Sequence, residues 1–112
     1  MKTITAIIRP TRFSGVKDAL LACGVEMMTV SSVMVCGGFD DPGHKNFVSS
    51  ADNTLLNKTR MEIIVSDEKV KSTIDAIVLQ GSTGASGDGK IFVMDMPQFI
   101  KISHDPGKDP LL

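Results

Sequence analysis

The sequence predicts an α+β fold in which one four-stranded antiparallel sheet carries two helices on the same face. Three observations lead to this prediction. Four segments are rich in the β-branched and other apolar residues that are typical of strands, and two show the periodicity of amphipathic helices. They follow one another in the order β-α-β-β-α-β. The chain has 112 residues, which suits a single domain over 1–112. This order is that of the ferredoxin-like arrangement.

Each predicted strand is a run of mainly β-branched and other apolar residues. In the first strand Ile4, Ala6 and Ile8 share one face, and Pro10 ends the strand because it has no N–H to donate. The last strand is apolar on both faces, so we expect other copies of the chain to cover the face opposite the helices. The strands are predicted at Thr3–Arg9, Val25–Cys36, Lys58–Val65 and Ile91–Met96.

The two predicted helices have turn and capping residues at both ends. Ser14 is predicted to cap the first helix, and Gly24 to end it in the left-handed conformation common at helix C-termini. Ser66 and Asp67 are predicted to cap the second helix, which closes at Gly81. The apolar faces comprise Val16, Ala19 and Leu20 in the first helix and Val70, Ile74, Ile77 and Val78 in the second.

Composition excludes several classes of protein. Twelve basic and thirteen acidic residues give a net charge of −1, so no general field attracts the chain to nucleic acid or to an anionic membrane. Two cysteines, Cys23 and Cys36, do not form a disulfide framework. The sequence shows no signal peptide and no apolar run near the ~20 residues of a membrane span. We therefore expect a cytoplasmic protein without direct membrane insertion.

Two segments lack the patterns of helices and strands. The first, here called the connector, covers residues 37–56 and is rich in turn-forming residues. A connection of this length is usually functional or disordered. The second, here called the glycine-rich loop, covers residues 82–90. The tail, residues 98–112, is predicted to form no regular element at its end.

The glycine-rich loop has the composition of an anion site. Gly84, Gly87 and Gly89 allow backbone N–H groups to approach a phosphate, and Lys90 adds a positive charge. The loop follows a helix and precedes a strand, which is the reverse of a Walker loop, so no helix N-terminus contributes. A simple flexible turn is the alternative interpretation. Lys58 and Lys101 could contribute charge near a sheet edge or lie at the surface.

Two other kinds of site remain open as alternatives. A metal-sensing or metal-buffering trimer could use residues in and beside the connector, although their spacing fits no zinc signature. An acyl-phosphate hydrolase could use arginines and an asparagine to hold phosphate and water, although no phosphate loop follows the first strand. The metal candidates are Cys36, Asp40, Asp41 and His44, and the hydrolase candidates are Arg9, Arg12 and Asn53 or Asn57.

The strongest sequence motif is residues 83–93 (TGASGDGKIFV), which resemble the second signature of the PII family of signalling proteins nearly residue for residue. Residues 6–10 (AIIRP), 28–30 (MTV) and 62–65 (EIIV) resemble the family at matching positions. The resemblance covers about residues 1–38 and 55–103 without gaps. It implies a regulatory protein rather than an enzyme.

The resemblance further implies a homotrimer whose sheets line a central core and whose three inter-subunit clefts bind adenine nucleotides. By position, ribose and phosphates would be held by Gly87, Asp88, Gly89 and Lys90, and adenine would be surrounded by Ile7, Thr29, Glu62 and Ile64. Further positions expected in the nucleotide site are Gly37, Gly38, Thr83, Lys101 and Ser103.

The connector corresponds to the T-loop of the family, which inserts into partner proteins. Phe39 and Phe47 would be its apolar anchors, and the partner could be a membrane transporter or a metabolic enzyme. Lys58 matches a family lysine that helps to hold 2-oxoglutarate. The T-loop tyrosine that some members nucleotidylylate is absent, because the whole chain contains no tyrosine.

Several departures from the family pattern change the expected ligands. Phe39 replaces a glutamine that meets Mg²⁺ and 2-oxoglutarate, and Gly38 and Ser82 replace arginines. Lys101 and Ser103 stand where two arginines grip phosphates, and neither supplies a bidentate cation. The resemblance thus predicts a preference for ADP or AMP over Mg-ATP, argues against a role for Mg²⁺, and predicts weak or absent 2-oxoglutarate binding. Bicarbonate or another small anion is the alternative second ligand, in nitrogen or carbon metabolism.

Overall fold

A computed structural model describes residues 1–37 and 55–103, and its elements follow the predicted order. Single turns of 3-10 helix, Pro10–Arg12 and Asp67–Lys69, precede the two α-helices. The strands are β1 (Lys2–Ile8), β2 (Thr29–Val35), β3 (Leu56–Val65) and β4 (Gly89–Asp95), and the helices are α1 (Phe13–Ala22) and α2 (Val70–Gly81).

The four strands form one antiparallel sheet in the order β2-β3-β1-β4. Ile4 on β1 lies between Ile63 on β3 and Val93 on β4, which sets the register at the centre of the sheet. The predicted α+β class and ferredoxin-like arrangement are confirmed. Because β1 is central, the residues that follow it emerge beside the start of β4.

The hydrophobic core lies between the sheet and the two helices. The alternation predicted for β1 is confirmed, since Ile4, Ala6 and Ile8 are all buried. Burying an isoleucine side chain stabilises a fold by about 1.5–3 kcal/mol. The same core contains Met61, Ile63 and Val65 from β3, Val16 and Leu20 from α1, and Ile77 from α2.

The opposite face of the sheet, here called the open face, carries no helix within the part of the chain that the structure describes. On β4, Phe92 lies opposite Thr5 and Met94 opposite Thr3, and the two apolar side chains are 49% and 59% exposed. The predicted two-sided apolar character of β4 is therefore present in the folded chain. Its coverage by other copies stays a prediction.

Both helices begin differently from the prediction. α1 already includes Ser14, and Arg12, which precedes the helix, makes no side-chain capping bond. The reason is Pro10, whose fixed φ starts a 3-10 turn that leads directly into α1. Ser66 likewise precedes a 3-10 turn without a side-chain cap, and α2 starts only at Val70.

The end of α1 explains why β2 is shorter than predicted. Gly24 has φ +89° and donates its N–H to the carbonyl of Leu21 at 3.1 Å, as expected for the residue after a helix. Val25 donates to the carbonyl of Leu20 at 3.0 Å, so it belongs to the same cap rather than to a strand. Neither described helix, at 10 and 12 residues, is long and apolar enough to cross a membrane.

Candidate functional site

The glycine-rich loop is held against the end of β1 by a close backbone contact. Ile8 pairs with Gly89 and Ile7 with Lys90, so the end of the loop enters the sheet beside the last residues of β1. Gly89 has φ +130°, and a Cβ atom placed there would lie 1.8 Å from the carbonyl oxygen of Ile7. The backbone at this position can therefore be occupied only by glycine.

The carboxylate of Asp88 closes the first half of the loop from inside. It accepts hydrogen bonds from the backbone N–H groups of Thr83 at 2.8 Å and Gly84 at 3.2 Å, and also from the Thr83 hydroxyl. The Thr83 hydroxyl in turn accepts a bond from the N–H of Ala85 at 3.2 Å. These three amides donate to acceptors within the loop. The family resemblance assigns the ribose and phosphates to the other half of the loop, residues 87–90.

Arg9, the residue after β1, fastens the loop at two points. Its Nε donates to Asp88 Oδ1 at 2.9 Å, and its Nη2 donates to the carbonyl of Ser86 at 2.7 Å. The bonds from Thr83, followed by the bond from Arg9, hold the pKa of the Asp88 carboxyl well below its ordinary value. The carboxylate is therefore charged, and it forms an ion pair with Arg9.

Lys58 contacts the same loop from the start of β3. The residue is only 7% exposed, and its ammonium donates to the carbonyl of Gly87. Burial lowers the pKa of the amine, and the nearby Arg9 cation lowers it further. The surface interpretation of this lysine is therefore wrong. Arg9, Lys58 and Asp88 together leave the base of the loop with one net positive charge.

A groove of about 220 Å³ opens beside the loop, between the end of α2 and β4. Its apolar walls include Ile77 and Ile91, which belong to the helix side of the sheet. Lys90 and Ser82 lie at its polar end. The groove is also lined by Ile7, Asp88 and Gly89, so together with Lys90 it includes four residues of the predicted nucleotide site. The other expected adenine contacts, Thr29, Glu62 and Ile64, do not line it.

The predicted adenine contacts share one face but not one pocket. Strand alternation places Ile7, Thr29, Glu62 and Ile64 on the open face. Glu62 pairs with Thr29 on β2 and forms an ion pair with Arg60 at 2.7 Å. Ile64, however, lies four residue positions from Ile7 along β1, a distance of about 13 Å at the usual rise of a strand. In a single chain these side chains are therefore spread across the open face and do not line one pocket.

The remaining predicted site residues lie at the limits of the described chain. Gly37 has φ +75° and precedes the undescribed part of the connector. Lys101 and Ser103 are exposed and follow β4 outside any helix or strand. Gly38, Phe39 and Phe47 lie outside the described residues.

The alternative sites gain no support from the described residues. Residues 1–37 and 55–103 contain no group of three side chains suited to a metal ion, and Cys36 is exposed. The other metal candidates and Asn53 lie outside this part of the chain. Arg9, one of the hydrolase candidates, is bonded to Asp88 and Ser86.

Sequence reasoning missed the structural role of Arg9 and treated Asp88 only as a ligand contact. The predicted strand arrangement could have indicated the structural roles of both Arg9 and Asp88. In the predicted arrangement β1 and β4 are adjacent and antiparallel, so the residue after β1 meets the residue before β4. The observed pairing of Ile8 with Gly89 is the register that places Arg9 beside Asp88.

Comparison with known proteins agrees with this architecture. The family model described as "Nitrogen regulatory protein P-II" matches residues 1–106. A "Nitrogen regulatory protein P-II" of Porphyra purpurea is 41% identical over 102 residues, and one of Pasteurella multocida is 40% identical over 104. A "Nitrogen regulatory protein P-II 1" of Escherichia coli K12 is 38% identical over 104 residues. Each alignment covers 91% of both chains. The chain therefore belongs to the P-II family of nitrogen regulatory proteins.

Proposed function

We propose that this P-II family member is a ligand-gated regulator that binds ADP or AMP in clefts between the subunits of a homotrimer. It signals to a protein partner through the connector. The observation that carries the proposal is the glycine-rich loop, which is fixed by Arg9, Lys58 and Asp88. The loop keeps residues 87–89 next to Lys90 at the edge of the open face. A loop of this kind suits the phosphates of a nucleotide.

The distribution of the adenine contacts supports a cleft made by more than one copy. Ile7 adjoins the loop, whereas Ile64 lies about 13 Å away by strand rise on the same face. A second copy packed against the open face would complete each site with residues from the other end of its own sheet. It would also cover Phe92 and Met94, which are exposed in the single chain.

The small number of cationic side chains assigned to the phosphates supports a preference for nucleotides with fewer phosphate groups. Arg9 and Lys58 donate to the loop itself, so part of their charge is already satisfied by Asp88 and by backbone carbonyls. Lys90 and Lys101 are the cations that the family pattern assigns to phosphates, and Ser103 adds no charge. We therefore propose that ADP or AMP binds more tightly than Mg-ATP, and that 2-oxoglutarate binds weakly or not at all. Bicarbonate or another small anion is the alternative second ligand.

A physical connection between ligand and partner loop runs through Lys58. The connector re-enters the sheet at Leu56, and two residues later Lys58 is bonded to the carbonyl of Gly87 in the glycine-rich loop. A nucleotide that contacts the loop differently in two states of the connector shifts the population between them. A coupling of about 1–3 kcal/mol would change partner affinity about 5–150-fold.

Calorimetric titration of the wild type with AMP, ADP and ATP, with and without Mg²⁺, tests the proposal. We expect binding of ADP or AMP to exceed that of Mg-ATP, and Lys90→Ala to weaken ADP binding about 10-fold or more, because a charge-assisted bond to phosphate is worth about 1.5–3 kcal/mol. Lys71→Ala is the matched control, since Lys71 is an exposed lysine on α2 that pairs with Asp75. It should leave the affinity unchanged.

Three results would contradict parts of the proposal. Equal affinity of the wild type and Lys90→Ala would remove the glycine-rich loop from the site. Tight binding of Mg-ATP with 2-oxoglutarate would contradict the ligand preference. A monomer in light scattering at the concentration of the titration would contradict the inter-subunit cleft.

A further inference from the structure

We propose that Arg9 is a positioning residue for nucleotide binding, which acts by fixing the Ser86–Gly87 peptide and the carboxylate of Asp88. This inference rests on the proposed function, because it assigns Arg9 a task in the same loop. Arg9 was not among the expected nucleotide contacts, and it lies 77 and 79 residues before the two loop residues that it bonds.

The first part of the argument is the direction of the amides. A trans peptide is planar, so the N–H of each peptide unit points opposite to its C=O. Arg9 holds the carbonyl of Ser86, and Lys58 holds the carbonyl of Gly87. The N–H groups of Gly87 and Asp88 belong to these two peptides and therefore point away from the two cations. Two successive N–H groups whose orientations are fixed in this way can form part of an anion-binding concavity.

The second part of the argument is the attachment of the whole loop. Asp88 binds the amides of Thr83 and Gly84, and Arg9 binds Asp88, so the start of the loop is tied to the end of β1 through one carboxylate. The Arg9 side chain is only 30% exposed and that of Asp88 only 25%. Water therefore competes less for this pair than for an ion pair at the open surface.

The third part of the argument is the side chain itself. Nε and Nη2 of Arg9 serve a carboxylate and a carbonyl at the same time, which requires the planar fork of a guanidinium. A lysine has a single ammonium on a flexible stem and is not preorganised for both acceptors. The arrangement therefore distinguishes arginine from lysine, although both carry one positive charge.

The experiment compares ADP and adenosine binding by calorimetry in wild type, Arg9→Met and Arg9→Lys. Arg12→Met is the matched control, because it removes an exposed arginine three residues further on in the Pro10–Arg12 turn. Arg9→Met should weaken ADP binding about 10-fold or more and adenosine binding less than about twofold, since only ADP uses the oriented amides. Arg9→Lys should fall between Arg9→Met and the wild type, and Arg12→Met should match the wild type.

Action through Asp88 is tested by a double-variant cycle with Asp88→Asn. If Arg9 works through Asp88, the double variant should bind ADP within about twofold of the weaker single variant. Independent effects would multiply instead and would overturn this part of the inference. Equal loss of ADP and adenosine binding in Arg9→Met would show a general structural defect and would also overturn it, as would unchanged ADP binding.

Failure of the proposed function gives a different result. If the wild type binds no adenine nucleotide, the proposed function fails and the inference fails as a statement about nucleotides. Hydrogen exchange of the amides of Thr83 and Gly84 then still decides whether Arg9 fixes the loop. Faster exchange in Arg9→Met but not in Arg12→Met supports that role, and equal exchange in both variants contradicts it.

Discussion

The two connections that lead from a helix to the next strand occupy equivalent places in the two halves of the fold, yet they are built differently. The first, residues 23–28, is closed by main-chain bonds from Gly24 and Val25 to carbonyls of α1, and Val25 and Leu20 are both buried. The second, residues 82–88, is closed by the Asp88 carboxylate and by two cations from distant parts of the chain, Arg9 after β1 and Lys58 in β3.

The difference agrees with the proposed function, in which only the second connection binds a ligand. A helix cap formed by backbone bonds and an apolar contact is sufficient to turn the chain, as the first connection demonstrates. The second uses the side chains of Arg9, Lys58 and Asp88 for the same turn, and all three make hydrogen bonds within a loop that is mainly exposed. Charged groups are a costly way to close a turn, so their presence points to a requirement beyond folding.

The largest expected effect is a loss of stability in a variant of the first connection that leaves the affinity for ADP unchanged. Leu20→Ala should lower the free energy of unfolding by about 2–5 kcal/mol, because Leu20 is fully buried beneath the cap. The affinity of the folded protein for ADP should remain within about twofold of the wild type. Urea denaturation and calorimetry measure the two quantities.

Leu21→Ala is the control for that comparison, because Leu21 is the next residue and is 51% exposed. Its cost should stay below about 1 kcal/mol. A similar loss in both variants would mean that the cap is not supported by the core, and a large loss of ADP affinity in Leu20→Ala would remove the proposed separation of the two connections.

A smaller effect is expected from glycine substitutions in the second connection. Gly84 and Gly89 both have positive φ, so alanine is strained at either position by about 1 kcal/mol or more. At Gly89 the new Cβ also meets the carbonyl of Ile7, whereas at Gly84 it meets nothing within 4 Å. Chemical denaturation should therefore show a loss of about 2–3 kcal/mol for Gly89→Ala and about 1 kcal/mol for Gly84→Ala.

Equal losses in the two glycine variants would contradict the close contact between the loop and β1. A loss of ADP affinity in Gly84→Ala as large as that in Gly89→Ala would contradict the proposal that the phosphates contact residues 87–90 and not the first half of the loop. The two substitutions add the same methyl group, so they differ in what surrounds it and in the backbone φ, which is +85° at Gly84 and +130° at Gly89.

The smallest effect is a pH dependence confined to the second connection. The pKa of Asp88 is lower in the folded chain than in the unfolded one, so its contribution to stability is complete above the ordinary carboxyl pKa of about 3.8. It is lost as the pH falls below that value towards the folded pKa. The difference in unfolding free energy between wild type and Asp88→Asn should therefore be constant from pH 7 to about 5 and should shrink below pH 4.

Equilibrium denaturation at pH 7, 5, 4 and 3.5 measures this difference. A difference that already shrinks between pH 7 and 5 would contradict the bonds that Thr83 and Arg9 make to the Asp88 carboxylate. A difference that grows on acidification would reverse the sign of the linkage and would place the carboxyl in a different environment.

Local sequence patterns were sufficient to predict most of the fold. Alternation in β1 and β3 predicted the buried faces, and Gly24 predicted the end of α1, because these features depend on neighbouring residues. The prediction failed where two local signals competed. Val25 has a strand-forming side chain but takes part in the helix cap, and Pro10 starts the turn into α1 before Ser14 could cap it.

The candidate site could be predicted only in part, because its geometry depends on contacts between distant segments. The motif at 83–93 located the glycine-rich loop and the open-face residues follow from alternation. The burial of Lys58 and the bonds of Arg9 depend on the register between strands and on where long side chains can reach. A motif names the residues of a loop but not the side chains elsewhere that hold it.

The bonds that Asp88 accepts from Thr83 and Gly84 also affect the thermodynamics of association. Fixing the backbone of one residue costs roughly 1–2 kcal/mol of conformational entropy at room temperature. In this chain the backbone at the start of the loop is already ordered in the folded protein. The entropy loss of ordering it therefore belongs to folding and not to ligand binding. A ligand of the loop would then lose less of its gross interaction energy to ordering, and its rate of capture would be limited mainly by diffusion and orientation.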